Sequence, residues 1–221
     1  PRPGHADFTS RLKFMGYSDP RGSGHFSGRI TWGLVAAGVI AKKILKGTVI
    51  NASLKEAGGT ADIEKAVEEA LKAGDSIGGI VECIIENPPL AAGEPFFYSA
   101  ESAISQALFS IPAIKAVEFG AGFRAASMRG SEHNDPFTDT KGTTLTNNAG
   151  GINGGITNGN PVVFRVAVKP TSSVGVEQTT IDFSTGKVVK LKAEGRHDAC
   201  IALRMPVIVE AAAAVALADL L

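Results

Sequence analysis

Residues 175–192, GVEQTTIDFSTGKVVKLK, set two β-branched runs on either side of Ser184-Thr185-Gly186. Short polar linkers ending in glycine between such runs are hairpin signals. Hairpins pair strands antiparallel, which a doubly wound parallel sheet does not require. Upstream, Val162–Val168, Ile114–Phe119, Ile77–Ile85 and Val49–Leu54 read as further strands. Helices are expected over Thr31–Leu45, from an Asp62 cap to about Lys72 with a stop at Gly74, from Ser99 to Phe109, and from Met205 with Pro206 in the first turn. The first thirty residues are rich in Gly, Ser and Arg and read as loop, and 129–161 as a long glycine-heavy loop. Strands and helices thus alternate irregularly, and the fold class is α+β.

The 221 residues are 44% apolar, enough to bury a sizeable core in one domain. Twenty-two basic and 22 acidic residues give a formal net charge of zero, which argues against nucleic-acid or membrane-surface binding. Cys83 and Cys200 sit in apolar runs and read as buried, reduced thiols. His5, His25, His133 and His197 show no metal-ligand spacing. No signal peptide opens the chain, and Val207–Leu221, with Glu210 and Asp219, is too short to span a bilayer. A soluble, cytoplasmic protein is expected.

Three islands carry candidate chemistry: Arg2-Pro3-Gly4-His5-Ala6-Asp7, Lys169-Pro170-Thr171-Ser172-Ser173 and Gly195-Arg196-His197-Asp198. Each sets charged or hydrogen-bonding groups beside Gly or Pro, as a site for an anionic ligand needs. His5 beside Asp7 reads either as an acid or base held by a carboxylate or as a turn histidine. The glycine pairs of 147–159 lack the spacing of a phosphate loop or dinucleotide fingerprint. They suit backbone lying flat against a planar ligand, with Asn147, Asn148, Asn153 and Asn158 in turns of positive φ. Gly28-Arg29 and Gly195-Arg196 each precede a long Ala- and Val-rich helix, an echo that either two related halves or chance would produce.

The ordered blocks RPGHAD (2–7), MRGSEHNDPF (128–137), NNAGGINGGITNG (147–159), KPTSS (169–173) and GRHDACIALR (195–204) resemble the signature motifs of the chorismate synthase family. ENPPLAAGEPFF (86–97) and SIPAIKAVEFGAGF (110–123) extend the resemblance along nearly the whole chain. It implies a β-α-β sandwich with helices between sheets, an internal pseudo-repeat and a cytoplasmic homotetramer. It also implies conversion of 5-enolpyruvylshikimate 3-phosphate to chorismate and phosphate with reduced FMN, some members recycling their flavin with NADP.

By the same resemblance His5 is expected to protonate reduced flavin, and Asp198 to assist hydrogen removal beside the flavin's reactive nitrogen. Arg2, Arg29 and Arg196 match substrate-binding arginines, Arg196 also touching flavin. His25, Ser27, Pro112, Ala113, Gly154 and Lys169, Pro170, Thr171, Ser172 and Ser173 fall on flavin-binding positions. In 25–31, HFSGRIT, His25 and Phe26 stand where the family has Arg and Ser, and Ile30 where it has Glu. The family's Gly-Glu-Ser-His-Gly segment has no counterpart here, and a stretch near Gly59-Thr60 is expected to be absent. A truncated, non-catalytic homologue that keeps flavin or oligomer contacts is the alternative.

Overall fold

The computed structural model describes residues 1–19, 24–193, 195 and 197–221. Four strands form the main sheet: β1 (Val49–Ala57), β2 (Gly79–Glu86), β3 (Ile114–Phe119) and, later in the chain, Val162–Val168. Between the third and fourth lies a two-stranded ribbon, β4 (Ile152–Asn153) and β5 (Ile156–Thr157), so Val162–Val168 is β6. The sheet order is β1-β2-β6-β3, with every neighbouring pair antiparallel. The expected hairpin forms as β7 (Gln178–Ile181) and β8 (Val188–Leu191), paired antiparallel.

Alternation decides which face of the sheet is covered. On β6, Val162, Phe164, Val166 and Val168 are buried, and on β2 Val81, Cys83 and Ile85 join them. The opposite face carries a charged row. Glu82 pairs across β6 with Arg165, and Arg165 with Glu118, the cross-strand partners in register. Lys55 Nζ lies 3.2 Å from Glu82 and Arg165 Nε 2.8 Å from Glu118.

Six helices complete the described chain: α1 (Asp7–Lys13), α2 (Thr31–Ile44), α3 (Ile63–Ala73), α4 (Ala100–Phe109), the single turn α5 (Gly130–His133) and α6 (Met205–Asp219). The caps fall where expected. Asp62 accepts from the Lys65 amide, Gly74 turns left-handed at φ 65°, and Ser99 accepts from the Ser102 amide. Helix α6 packs against α2, α4, β1 and β2, so it is the hub of the helical layer. Its alanines allow close approach. A Cβ on Gly38 of α2 would stand 2.5 Å from the Ala211 Cβ, so only glycine fits that crossing.

Three expectations need correction. The opening segment is not all loop: α1 forms, with Asp7 in its first turn and Arg11 and Lys13 in its last, favourable to the helix dipole. Strand β1 runs to Ala57, and the chain turns at Gly58-Gly59 before Thr60. The C-terminal apolar run is longer than it reads, because a 3-10 turn, Ile201–Arg204, feeds into α6. Among the described residues Ile201–Asp219 is the one helical run long and apolar enough to cross a membrane by length and composition, and half of it is buried in the fold. Both cysteines are buried and free, and burial, with Glu210 nearby, pushes the Cys83 thiol up to about 12.

Candidate active site

The sheet register builds the floor of a large cleft. Val168 ends β6 opposite Ile114, which starts β3. The chains leaving both strands therefore meet, and the Lys169 amide donates to the Ala113 carbonyl at 2.9 Å. Ala113 holds φ +79°, a sparsely populated conformation for a non-glycine residue that is often found where a site fixes the backbone. Two distant islands, Pro112-Ala113 and Lys169–Ser173, are thereby made neighbours.

The opening segment closes on this floor. Gly4, at φ +71°, packs so tightly on Ser172 that a Cβ would lie 2.9 Å from its Oγ. The Ser172 hydroxyl donates to the Gly4 carbonyl at 2.8 Å, and Lys169 Nζ donates to Ser172 Oγ at 2.5 Å and to Gly4 O at 3.2 Å. His5 Nε2 shares a hydrogen bond of 2.9 Å with Ser173 Oγ. The Thr171 hydroxyl is buried without a partner among the described residues. A buried orphan hydroxyl costs free energy unless something bonds to it.

The cleft has a volume of about 2170 Å³. Arg2, His5, His25, Ser27, Arg29, Pro112, Ala113, Lys169, Pro170, Thr171, Ser172, Ser173 and Asp198 all line it. The 3-10 turns Gly24–Phe26 and Gly28–Ile30 bring the HFSGRIT segment in, with Ser27 Oγ accepting from the Arg29 amide. Of the expected site residues, Gly154 stands apart, at the β4–β5 turn and outside the cleft lining. Arg196 lies outside the described residues.

The glycine-heavy stretch works differently from the sequence reading. A Cβ on Gly151 would strike the Pro161 carbonyl, and one on Gly155 would lie 2.7 Å from Ser99 Cβ. These glycines let backbone approach backbone, and Gly154 is the one between them with open space around it. The asparagines do not take positive φ. They act through side chains instead: Asn147 donates to Pro161 O at 2.8 Å, and Asn158 to Asn153 Oδ1 at 2.6 Å. Asp135 gathers the loop further, accepting from Thr146, Asn148 and Ala149.

The charge pairs also differ from expectation. Asp7 does not hold His5. It takes Arg2 in a two-pronged pair, from Nε at 2.8 Å and Nη2 at 2.9 Å, and accepts from the Arg2 amide at 3.0 Å. These bonds bring the Asp7 carboxyl down to about 2. Burial lowers the His5 pKa, as do the Arg2 and Lys169 charges, while Asp7 acts in the opposite sense. Elsewhere on the cleft lining, Asp198 is gripped by Arg204, from Nη2 at 2.8 Å and Nη1 at 3.1 Å. Sequence reading missed Arg204. Its signal was the final residue of GRHDACIALR, which the 3-10 turn swings back toward Asp198.

The chorismate synthase family model matches residues 1–221. A chorismate synthase of Chitinophaga pinensis is 61% identical over 220 residues, covering 99% of this chain and 66% of that protein. One from Korarchaeum cryptofilum is 46% identical over 250 aligned positions, covering 99% of this chain and 69% of that protein. A crystal structure of chorismate synthase superposes with a TM-score of 0.77 at 27% identity, over 97% of this chain and 69% of that one. The chain thus spans about two thirds of the length of its relatives. With the 2–7, 169–173 and 197–204 motif segments folded into one cleft and a match along its whole length, the chain belongs to the chorismate synthase family.

Proposed function

We propose that this chain forms the cleft of a chorismate synthase, a lyase that eliminates phosphate from 5-enolpyruvylshikimate 3-phosphate to give chorismate. The observation that carries this reading is the meeting of four separated segments, 2–7, 112–113, 169–173 and 197–204, around one cavity. A non-catalytic homologue is not favoured, because 61% identity to a chorismate synthase extends over 99% of this chain.

The donor set fits FMN. Thr171 offers a buried hydroxyl with no partner among the described residues, and Lys169, Ser172 and Ser173 of the same segment add one cation and two hydroxyls to the cleft lining. Pro112-Ala113 gives a fixed backbone edge. When bound, reduced FMN would supply an electron-rich planar ring. Arg2 and Arg29 would neutralise the substrate's anionic groups, since two anions brought together without fixed cations repel. His5, held by Ser173 and disfavoured as a cation by its surroundings, is suited to giving up a proton. Asp198 supplies a carboxylate whose orientation Arg204 fixes, suited to assisting hydrogen removal.

The same reading includes a homotetramer and a cytoplasmic setting. Exposed aromatics at Phe96, Phe97 and Tyr98, and the exposed stripe Trp32, Val39, Ile40 and Ile44 on α2, support burial against further layers or copies. The unpaired thiols accord with a reducing compartment. The tight Gly58-Gly59 turn supports a short β1–α3 connection. The test is a titration of the full-length protein with FMN, with and without substrate. Substrate-dependent perturbation of the flavin spectrum is expected, followed by anaerobic phosphate release. A flavin spectrum unmoved in the presence of substrate would overturn the reading.

A further inference from the structure

We propose that Asp7 is a positioning residue: it holds the Arg2 guanidinium toward the substrate and offsets its charge beside His5. The inference rests on the reading of Arg2 and His5 given above. Its own basis is geometric. Asp7 takes two of the three guanidinium nitrogens, Nε and Nη2, and the Arg2 amide besides. Among the described residues Nη1 has no protein partner, so it is left for a ligand's oxygen. A fork held in this way loses less rotational freedom on binding an anion than a free arginine does.

The position of Asp7 follows from α1. As the first residue of that helix it sits where a carboxylate is favoured by the dipole. The Phe8 ring packs edge-on against Phe183 beyond β7, with centroids 5.3 Å apart, and so anchors α1 to the hairpin. The helix therefore delivers the carboxylate to Arg2 from a fixed base.

The charges around His5 give the second half of the role. Arg2 and Lys169 each disfavour the imidazolium, while Asp7 favours it. From the hairpin side, Lys192 lines a small cavity of about 190 Å³ that Arg2 and His5 also border. Two cations, Arg2 and Lys169, thus act on the imidazole, with Lys192 on the rim of the same small cavity, and Asp7 is the carboxylate that acts against them. Without it His5 would titrate lower still, and would hold a proton for less of the neutral range.

The test uses the full-length protein carrying isotope-labelled histidine, with the imidazole titration followed by NMR in the ligand-free state and turnover assayed separately. In Asp7→Asn the His5 midpoint is expected to fall below its wild-type value, and in Arg2→Met to rise. A midpoint that stays or rises in Asp7→Asn overturns the charge role. Asp7→Glu keeps the charge but displaces the fork, so its His5 midpoint should stay near wild type while KM for the substrate rises about tenfold, the scale of one charged hydrogen bond. An unchanged KM in both Asp7 variants overturns the positioning role. Should Asp7→Asn not fold, Asp7→Ser takes its place in the imidazole titration with the same expected and overturning outcomes, and Asp7→Glu and Arg2→Met still decide positioning. Native KM in Arg2→Met removes Arg2 from the substrate site and overturns positioning. Absence of turnover in the wild-type protein strikes the functional reading alone, and the imidazole titration then still decides whether Asp7 sets the charge.

Discussion

Two segments of the cleft lining, 2–7 and 197–204, each wall part of it and place an aspartate on an arginine. On the first, Arg2 and Asp7 are 39% and 32% exposed, and the pair is tied to backbone through the Arg2 amide. Around it Gly4, His5, Lys169, Ser172 and Ser173 interlock across more than 160 residues of sequence. On the second, Arg204 and Asp198 are 72% and 44% exposed and, among the described residues, bond to each other without that surrounding mesh. The contrast separates preorganisation from availability. On the proposed reading, the group that keeps a fixed proton affinity is embedded among charges and hydroxyls, whereas the carboxylate that reaches a reacting atom is steered by Arg204 and left open.

The largest expected effect breaks the first wall at its centre. His5→Ala should slow turnover of the full-length protein by roughly 10²–10⁴, the range for loss of an acid or base. The fold should persist, because among the described residues His5 contributes one side-chain bond, to Ser173, and is not in the apolar core. Steady-state kinetics beside a thermal melt checks both. A near-native rate would return His5 to the role of a turn residue and leave the first wall without a chemical task.

Much of the fold was legible because its signals are local. Asp62, Gly74 and Ser99 mark helix ends through bonds made within a few residues. Alternation on β6 and the Ser184-Thr185-Gly186 linker are also local patterns. The site was legible as a set of islands, but its pairings were not. Asp7 lies two residues from His5 in sequence, yet α1 turns it onto Arg2. Ser173 is the histidine's partner from 168 residues away, a contact set by sheet register. Helix α1 itself was hidden because its seven residues lack a side-chain N-cap. The glycines of 147–159 were read as a ligand surface because sequence shows that backbone must come close, but not to what.

Acid sharpens the comparison with a smaller effect. Asp7 titrates at about 2 in the folded protein against 3.8 ordinarily. Its stabilising contribution is therefore complete above the unfolded value and is lost as pH falls from about 4 through about 2. Because the side chain is about one third exposed, solvent screening reduces that contribution to on the order of 1 kcal/mol. Urea unfolding of wild type and Asp7→Asn should differ by this amount at pH 5, and the gap should close on acidification toward pH 2. A gap that persists at the lowest pH would mean that the substitution destabilises through shape, not through lost charge.

The smallest effect is expected on the second wall. Arg204→Met keeps the aliphatic stem and removes the fork. Exposed ion pairs contribute little, because each charge gives up hydration and two long side chains lose freedom to form the contact. Arg204 stands at the entry to α6, where its backbone serves as N-cap without a side-chain bond. Nothing in the helix start therefore depends on the guanidinium. Unfolding free energy should change by less than about 0.5 kcal/mol, and the change should shrink further in high salt as the pair is screened. The same substitution should still lower turnover, since an Asp198 carboxylate without its partner samples orientations that do not face the reacting atoms. Denaturation at low and high salt, set beside kcat, checks this split. A loss of stability above about 1.5 kcal/mol would show that the second wall is knit as firmly as the first, and the division of labour between the walls would fall.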